Sequence, residues 1–392
     1  MNTFLDLGVM PAFADKLAAR AINQPTEIQC RIIPALLEGK SIIFRSETGT
    51  GKTFAYLIPF LQRMYGDAAA HDCASGPALV VCAPTLELCS QIAAEIDFLT
   101  GGGRAALLAG SVNINRQIDA LKKNKPMAVV GNPGRLLLLA KMGKLKFGGL
   151  RFLVLDEADR LTATDSRDEM LELARLAAAN AAESPCVAAS SATVSAKIAG
   201  QLDPLLKGAA FIETDAHEIL RDRIEHWAIF SEGRGKAQTL SSFLAAAKPK
   251  KALVFTSRAY DAGKIVSVLQ RRQCAAAGLY SGMDKKERKT AIDHFRSGKA
   301  AVLVSSDLSA RGLDISGISH VIALDVSDNK DVYIHRAGRT GRAGKKGIMV
   351  SIGDEVEMRR LAALEKKLGI KVQPKELYGG KLLKPEINDN GW

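Results

Sequence analysis

The chain has no Cys-x-x-Cys pair and no cysteine–histidine run at zinc-ligand spacing, so neither a zinc module nor a disulfide-stapled scaffold is expected. Its six cysteines, Cys30, Cys73, Cys82, Cys89, Cys186 and Cys274, are scattered, which points to reduced and mostly buried thiols. No uninterrupted apolar run reaches membrane-spanning length, and the opening MNTFLDLGVM has neither a basic start nor a long apolar stretch. No membrane partner and a cytoplasmic location are therefore expected. Low-complexity arms are absent too. What is present is 392 residues, enough for two or three ordinary domains each with a core of its own. Lysine plus arginine number 54 against 42 acidic residues, a net charge of +12. That balance fits a polyanionic partner, and it fits equally a basic, well-solvated surface.

Short apolar, β-branched runs alternate with helix-like stretches along the chain, as in a parallel sheet covered by helices. Strand candidates in the first half are Ser41–Phe44, Ala78–Cys82, Met127–Val130, Phe152–Leu155, Cys186–Ala189 and Ala210–Ile212. A second series follows at His226–Phe230, Ala252–Phe255, Ala275–Leu279, Ala301–Val304, Val321–Leu324 and Gly347–Ser351. The alternation thus occurs twice. The fold class expected is α/β, two tandem domains spanning 1–213 and 224–370, joined by a polar linker at 214–223 and followed by a loose tail at 371–392. Ligands of open parallel sheets bind at the carboxyl ends of strands, so the chemistry belongs in the loops after these runs.

After the strand SIIF comes RSETGTGKT, carrying Thr48, Gly49, Thr50, Gly51, Lys52 and Thr53, and then a helix candidate over Phe54–Tyr65. Glycines let backbone N–H groups approach phosphates, the helix start adds positive potential, Lys52 reaches the β and γ phosphates, and Thr53 binds Mg²⁺. Ser46 stands where the generic phosphate loop has another glycine. A chance Gly-Lys-Thr in a surface loop is the plainer reading, but strand and helix flank this one correctly.

Leu153, Val154 and Leu155 run straight into Asp156-Glu157-Ala158-Asp159, so an apolar strand delivers two adjacent carboxylates to its carboxyl end. Asp156 is expected to hold magnesium and Glu157 to orient or deprotonate the attacking water; capping the next helix is the alternative. In the second half, Tyr333 to Arg342 crowds His335, Arg336, Arg339 and Arg342 into one glycine-containing segment. Arginines brought in from another element stabilise charge developing on a γ phosphate. Arg339 and Arg342 are expected in that role, whereas for Arg336 a generic RNA-binding basic patch remains the alternative.

With these segments in view the chain resembles the DEAD-box RNA helicases over nearly its whole length. That likeness implies two tandem RecA-like lobes, ATP and Mg²⁺ as cofactors, and RNA as partner. Phe4 and AINQPTEIQ resemble the Q motif, implying that Gln29 reads the adenine edge and Phe4 stacks on the base, although the usual Gly-aromatic opening is here Ala21-Ile22. Pro84, Thr85, Glu87 and Leu88 resemble motif Ia, Gly110 the glycine motif, and Pro133-Gly134-Arg135 motif Ib. Ser257 and Arg258 match motif IV, and Ser306-Asp307 with Arg311 to Asp314 matches motif V. The resemblance implies RNA contacts for Pro84, Thr85, Gly110, Pro133, Gly134, Arg135, Ser257, Arg258 and Ser306, and a ribose contact for Asp314. Coupling roles are implied for Ser191 and Thr193 of motif III and for His335.

Departures concentrate on the RNA side: Leu86 replaces an arginine, Asn132 a threonine and Ser111 a glycine, while Ser281-Gly282 and Lys285 replace a histidine-glycine and a glutamine. The implied activity is ATP-coupled RNA unwinding or remodelling by a monomer, helped by protein cofactors. An RNA clamp that binds ATP but scarcely turns over is the alternative; a DNA translocase fits the Asp-Glu-Ala-Asp form and Q motif poorly. Contacts to a sugar-phosphate backbone carry no sequence information, so the target RNA is not legible.

Overall fold

The structure is a computed structural model, and it describes residues 3–45, 50–66, 75–110, 113–163, 166–191, 208–213, 218–256, 259–280, 282–306, 315, 317–341 and 345–385. Contacts divide the chain into two units, Met1–Asp215 and Ala216–Trp392. Each is built on a seven-stranded sheet in which every pairing is parallel. In the first unit the strands are β1 (Ile42–Arg45), β2 (Leu79–Cys82), β3 (Ala105–Leu108), β4 (Ala128–Gly131), β5 (Phe152–Leu155), β6 (Cys186–Ser191) and β7 (Ala210–Glu213). Their order across the sheet is 3-4-2-5-6-1-7. The second unit has β8 (Ile224–Phe230), β9 (Ala252–Thr256), β10 (Ala276–Leu279), β11 (Val302–Ser306), β12 (His320–Ala323), β13 (Gly347–Gly353) and β14 (Val372–Pro374), in the order 10-11-9-12-13-8-14. Replacing each strand by its counterpart seven places earlier turns the second order into the first, so one fold is used twice.

Central strands such as β2, β4, β5 and β6 are buried along their whole length, because helices cover both faces of a parallel sheet. Burial on both faces is why they read as continuous apolar runs. All twelve expected strands are present. Two more, β3 and β14, lie at sheet edges.

Two of the expected boundaries shift. The segment 214–223 is not linker throughout, since a short helix, Glu218–Asp222, buries Leu220 in the second unit's core. His226, itself 2% exposed, fixes that turn: its Nε2 lies 2.8 Å from the Leu220 carbonyl oxygen and its Nδ1 2.8 Å from the Tyr333 hydroxyl. Nor is 371–392 loose throughout. β14 pairs with β8, matching Val372 to His226 and Pro374 to Ala228. A hairpin of β15 (Glu376–Tyr378) and β16 (Lys381–Leu383) then packs Leu377 and Leu382 on the core. Residues 386–392 lie outside the described chain.

Candidate nucleotide site and nucleic-acid face

The sheet order places the first unit's chemistry. β6 lies between β5 and β1, so the loops leaving three neighbouring strands share one edge of the sheet. Those loops carry the phosphate loop, the Asp156-Glu157 pair and the Ser191 segment. α3 (Lys52–Gly66) starts where the phosphate loop ends. Gly51 there has φ +87°, and a Cβ would stand 2.5 Å from the Gln29 amide nitrogen, so both backbone and space call for glycine. Lys52 is 9% exposed, and its ammonium has no hydrogen-bond partner among the described residues. A buried cation without a hydrogen-bond partner is costly. An anion supplied from outside would satisfy it, and the start of α3 is where backbone N–H groups and the helix dipole favour one. Thr48 and Gly49 lie outside the described residues; Thr50 and Thr53 are half-buried at the same helix start.

Asp156 follows β5 and is 3% exposed. The Tyr56 hydroxyl donates to its Oδ2 at 2.8 Å, the Ser190 hydroxyl donates to its Oδ1, and the Glu157 N–H donates to Oδ1 at 3.0 Å. Burial raises its carboxyl above the usual range, opposed mainly by the nearby Lys52 charge and the Ser190 bond. Glu157 has φ +53°, a left-handed conformation costly for a residue with a side chain, and its carboxylate pairs with Arg160 on the next helix turn. The two adjacent carboxylates therefore have different surroundings. Among the described residues no three His, Cys, Asp or Glu side chains group as a metal site. Magnesium is commonly held by one or two carboxylates together with substrate phosphates, and the buried Asp156 carboxylate close to the start of α3 has the chemistry for such a site.

One expectation near this site, for Phe4, does not fit its surroundings, and the other, for Gln29, gains a second role. Phe4 is 3% exposed in the apolar core with Leu7, Val9 and Phe13, so its ring has no free face to stack on a base. Gln29 is 2% exposed: its Oε1 accepts from the Thr26 N–H at 2.9 Å and its Nε2 donates to the Gly51 carbonyl at 3.0 Å. Thr26-x-x-Gln29 is thus the capping box of α2 (Glu27–Leu37), and Gln29 ties that cap to the phosphate loop. One amide proton and one lone-pair direction remain for other use.

Further along the same sheet edge, Pro84 after β2, Gly110 after β3, and Pro133, Gly134 and Arg135 after β4 line one cavity of about 370 Å³. Arg135 donates from Nη2 to the Gly110 carbonyl and from Nη1 to Gln117 Oε1, both at 3.0 Å. Thr85 caps α4 (Leu86–Thr100) by accepting from the Leu88 N–H. Asn132, at the N-cap of α6 (Pro133–Lys141), makes no capping bond, and its Oδ1 is buried without a partner among the described residues. Sequence reasoning missed Glu169, whose carboxylate sits against Gly134, within 2.9 Å of where a Cβ would be.

Ser191 ends β6 fully buried, and Ser306 ends β11 buried. In the second unit His335 and Arg339 are half-buried. Arg336 is 4% exposed, donating to the Asp325 carbonyl at 2.5 Å beneath the Phe255 ring, so it anchors the core and is not part of a surface patch. Ser111, Thr193, Ser257, Arg258, Asp307, Asp314 and Arg342 fall outside the described residues, as does the side chain of Lys285. Of the described thiols, Cys82, Cys89 and Cys186 are buried and Cys30 and Cys274 half-buried, and burial pushes the Cys89 thiol up to about 12. No helix of the described residues is long and apolar enough to cross a membrane.

Two parallel sheets of one strand order, with a phosphate loop and a strand-end Asp-Glu pair in the first, define the tandem RecA-like class. Family models agree: residues 26–200 match the DEAD/DEAH box helicase model and residues 235–344 the helicase conserved C-terminal domain. The chain is 35% identical over 357 residues to the DEAD-box ATP-dependent RNA helicase CshC of Bacillus cereus, covering 91% of this chain and 88% of that one. This chain belongs to the DEAD-box family of ATP-dependent RNA helicases. Among solved structures it is similar to S. cerevisiae Dbp5 bound to RNA and ADP BeF3, with TM-score 0.80, 24% identity and 95% of each chain covered. A DEAD box protein from the hyperthermophile Methanococcus jannaschii matches with TM-score 0.58 at 26% identity, covering 95% of this chain and 99% of that one.

Proposed function

We propose that the protein couples ATP hydrolysis to the local unwinding of RNA duplexes or the remodelling of RNA–protein complexes, gripping one RNA strand with both units. The observation carrying this reading is the buried ammonium of Lys52 at the start of α3, without a hydrogen-bond partner among the described residues, near the buried carboxylate of Asp156. In this reading Lys52 binds the β and γ phosphates, aided by the loop Thr48–Gly51. Thr53 and Asp156 hold Mg²⁺, which when bound offsets phosphate charge and aligns the reacting oxygens. Glu157, held by Arg160, orients the attacking water and takes its proton. Gln29 steadies the loop through Gly51 and has one N–H left for the base, and Asp314 contacts the ribose. Arg339 and Arg342 supply charge from the second unit, and Ser191, Thr193 and His335 link hydrolysis to the RNA side. RNA is gripped by Pro84, Thr85, Gly110, Pro133, Gly134 and Arg135 in the first unit and by Ser257, Arg258 and Ser306 in the second. The protein works as a cytoplasmic monomer recruited by partner proteins.

Displacement of a short labelled RNA duplex tests this directly. ATP-dependent strand release supports unwinding, whereas ATP-dependent RNA retention without release makes the protein a clamp. Arg342→Ala is expected to lower RNA-stimulated kcat by about 10³-fold or more while leaving ATP binding near wild type. A change in RNA affinity alone, with kcat intact, would instead assign Arg342 to RNA contact.

The half-buried Leu86, the first residue of α4, follows directly on Pro84 and Thr85. Leu86→Arg is expected to tighten RNA binding with a non-hydrolysable ATP analogue and to steepen log K against log salt by about 0.7, one more phosphate contact on a single strand. Titrations at several salt concentrations beside a melting curve decide it. An unchanged slope with a lower melting temperature would mean that Leu86 serves packing.

A further inference from the structure

Two buried hydroxyls outside every motif converge on one carboxylate. Tyr56 lies one turn beyond Lys52 on α3 and is fully buried, and its hydroxyl donates to Asp156 Oδ2 at 2.8 Å. Ser190, the next-to-last residue of β6, is also fully buried and donates to Asp156 Oδ1. Its hydroxyl oxygen further accepts from the Glu157 N–H at 3.3 Å, which is shared with Asp156 Oδ1. Packing alone would be served by phenylalanine and alanine, which bury no polar atom. A buried hydroxyl is tolerated where it has a partner, and both of these spend their proton on the same side chain.

The consequence is geometric. A neutral hydroxyl on each oxygen, joined on Oδ1 by the Glu157 N–H, fixes both the rotation and the tilt of the carboxylate, and none of these donors brings a charge that would repel a cation. Oδ2 keeps a lone-pair direction for another partner, whereas Oδ1 accepts from both Ser190 and the Glu157 N–H. Ser190 also supports the backbone of Glu157 where φ is +53°, a conformation that persists only when its surroundings hold it. Groups behind a metal ligand act in this way, and their loss typically costs about 10- to 100-fold in metal affinity or activity.

We propose that Tyr56 and Ser190 are positioning residues that hold Asp156 in the orientation for Mg²⁺, and that Ser190 in addition sets the backbone of Glu157. The inference rests on the reading of Asp156 as the metal carboxylate. It separates the two hydroxyls: of the two acidic residues Tyr56 touches Asp156 alone, whereas Ser190 touches both.

The test uses the full chain, fluorescent ADP and a Mg²⁺ titration. Tyr56→Phe, which removes one oxygen and little else, is expected to raise the Mg²⁺ midpoint for nucleotide binding about tenfold, with affinity for the same nucleotide in EDTA unchanged. Ser190→Ala should shift the midpoint similarly and also lower RNA-stimulated kcat at saturating Mg²⁺; Ser190→Thr, which restores a hydroxyl, should recover both. Purely structural hydroxyls would lower the melting temperature and leave the midpoint within about twofold of wild type, and that result for Tyr56→Phe overturns the proposal even if Ser190→Ala fails to fold. Asp156→Asn keeps the two readings apart. A midpoint shifted in Asp156→Asn but not in Tyr56→Phe sinks this inference alone, whereas no shift in Asp156→Asn sinks the metal assignment itself.

Discussion

Glu157→Gln is expected to bind ATP and RNA as the wild type does and to lose about 10²- to 10⁴-fold in RNA-stimulated turnover. The amide keeps the shape of the carboxylate and an oxygen to accept from Arg160, so the contacts around the left-handed turn at φ +53° survive. What is lost is the capacity to take a proton from water. Retention of more than about a tenth of wild-type turnover would remove Glu157 from the chemistry and leave it the role of Arg160's partner. Measuring RNA binding in the same variant shows whether any loss comes from hydrolysis or from folding.

Lys52→Ala should weaken ATP binding by about two orders of magnitude or more, the scale of removing one member of a buried charge pair, roughly 2–5 kcal/mol. The ammonium is buried with no partner among the described residues, so its deletion removes a desolvated charge. The free protein should therefore melt no lower than wild type. A competing role is visible, because the same charge opposes the effect of burial on Asp156. If that were its main task, Lys52→Ala would lower the melting temperature and leave ATP affinity nearly intact. Calorimetry with ATP, beside a melting curve of the free protein, separates the two.

The strands were legible where burial on both faces turns a strand into an unbroken apolar run, as in Leu79–Cys82 and Phe152–Leu155. β3 reads AALL, with no β-branched residue, and lies half-buried at a sheet edge. β14 reads Val-Gln-Pro, and proline marks edge strands that only pairing with β8 reveals. The linker showed no apolar periodicity because a single residue, Leu220, anchors its helix in the core. Lys52, Asp156 and Glu157 stood out because phosphate and metal chemistry demands those residue types after a strand. Tyr56 did not, since at its place in α3 it reads as one more apolar position, and its hydroxyl acquires a partner only because β5 lies two strands from β1. Ser190 is half of a Ser-Ser pair closing an otherwise apolar strand, a faint signal. Phe4 and Gln29 were read through family likeness alone. The capping-box spacing Thr26-x-x-Gln29 was there to show that the amide is already engaged.

Phosphate release from ATP, with and without single-stranded RNA, in wild type and Glu157→Gln, tests the central claim most directly. The account predicts slow release that RNA accelerates severalfold or more in the wild type, with acceleration abolished in the variant although RNA still binds. Release indifferent to RNA, or equally accelerated in Glu157→Gln, would contradict it.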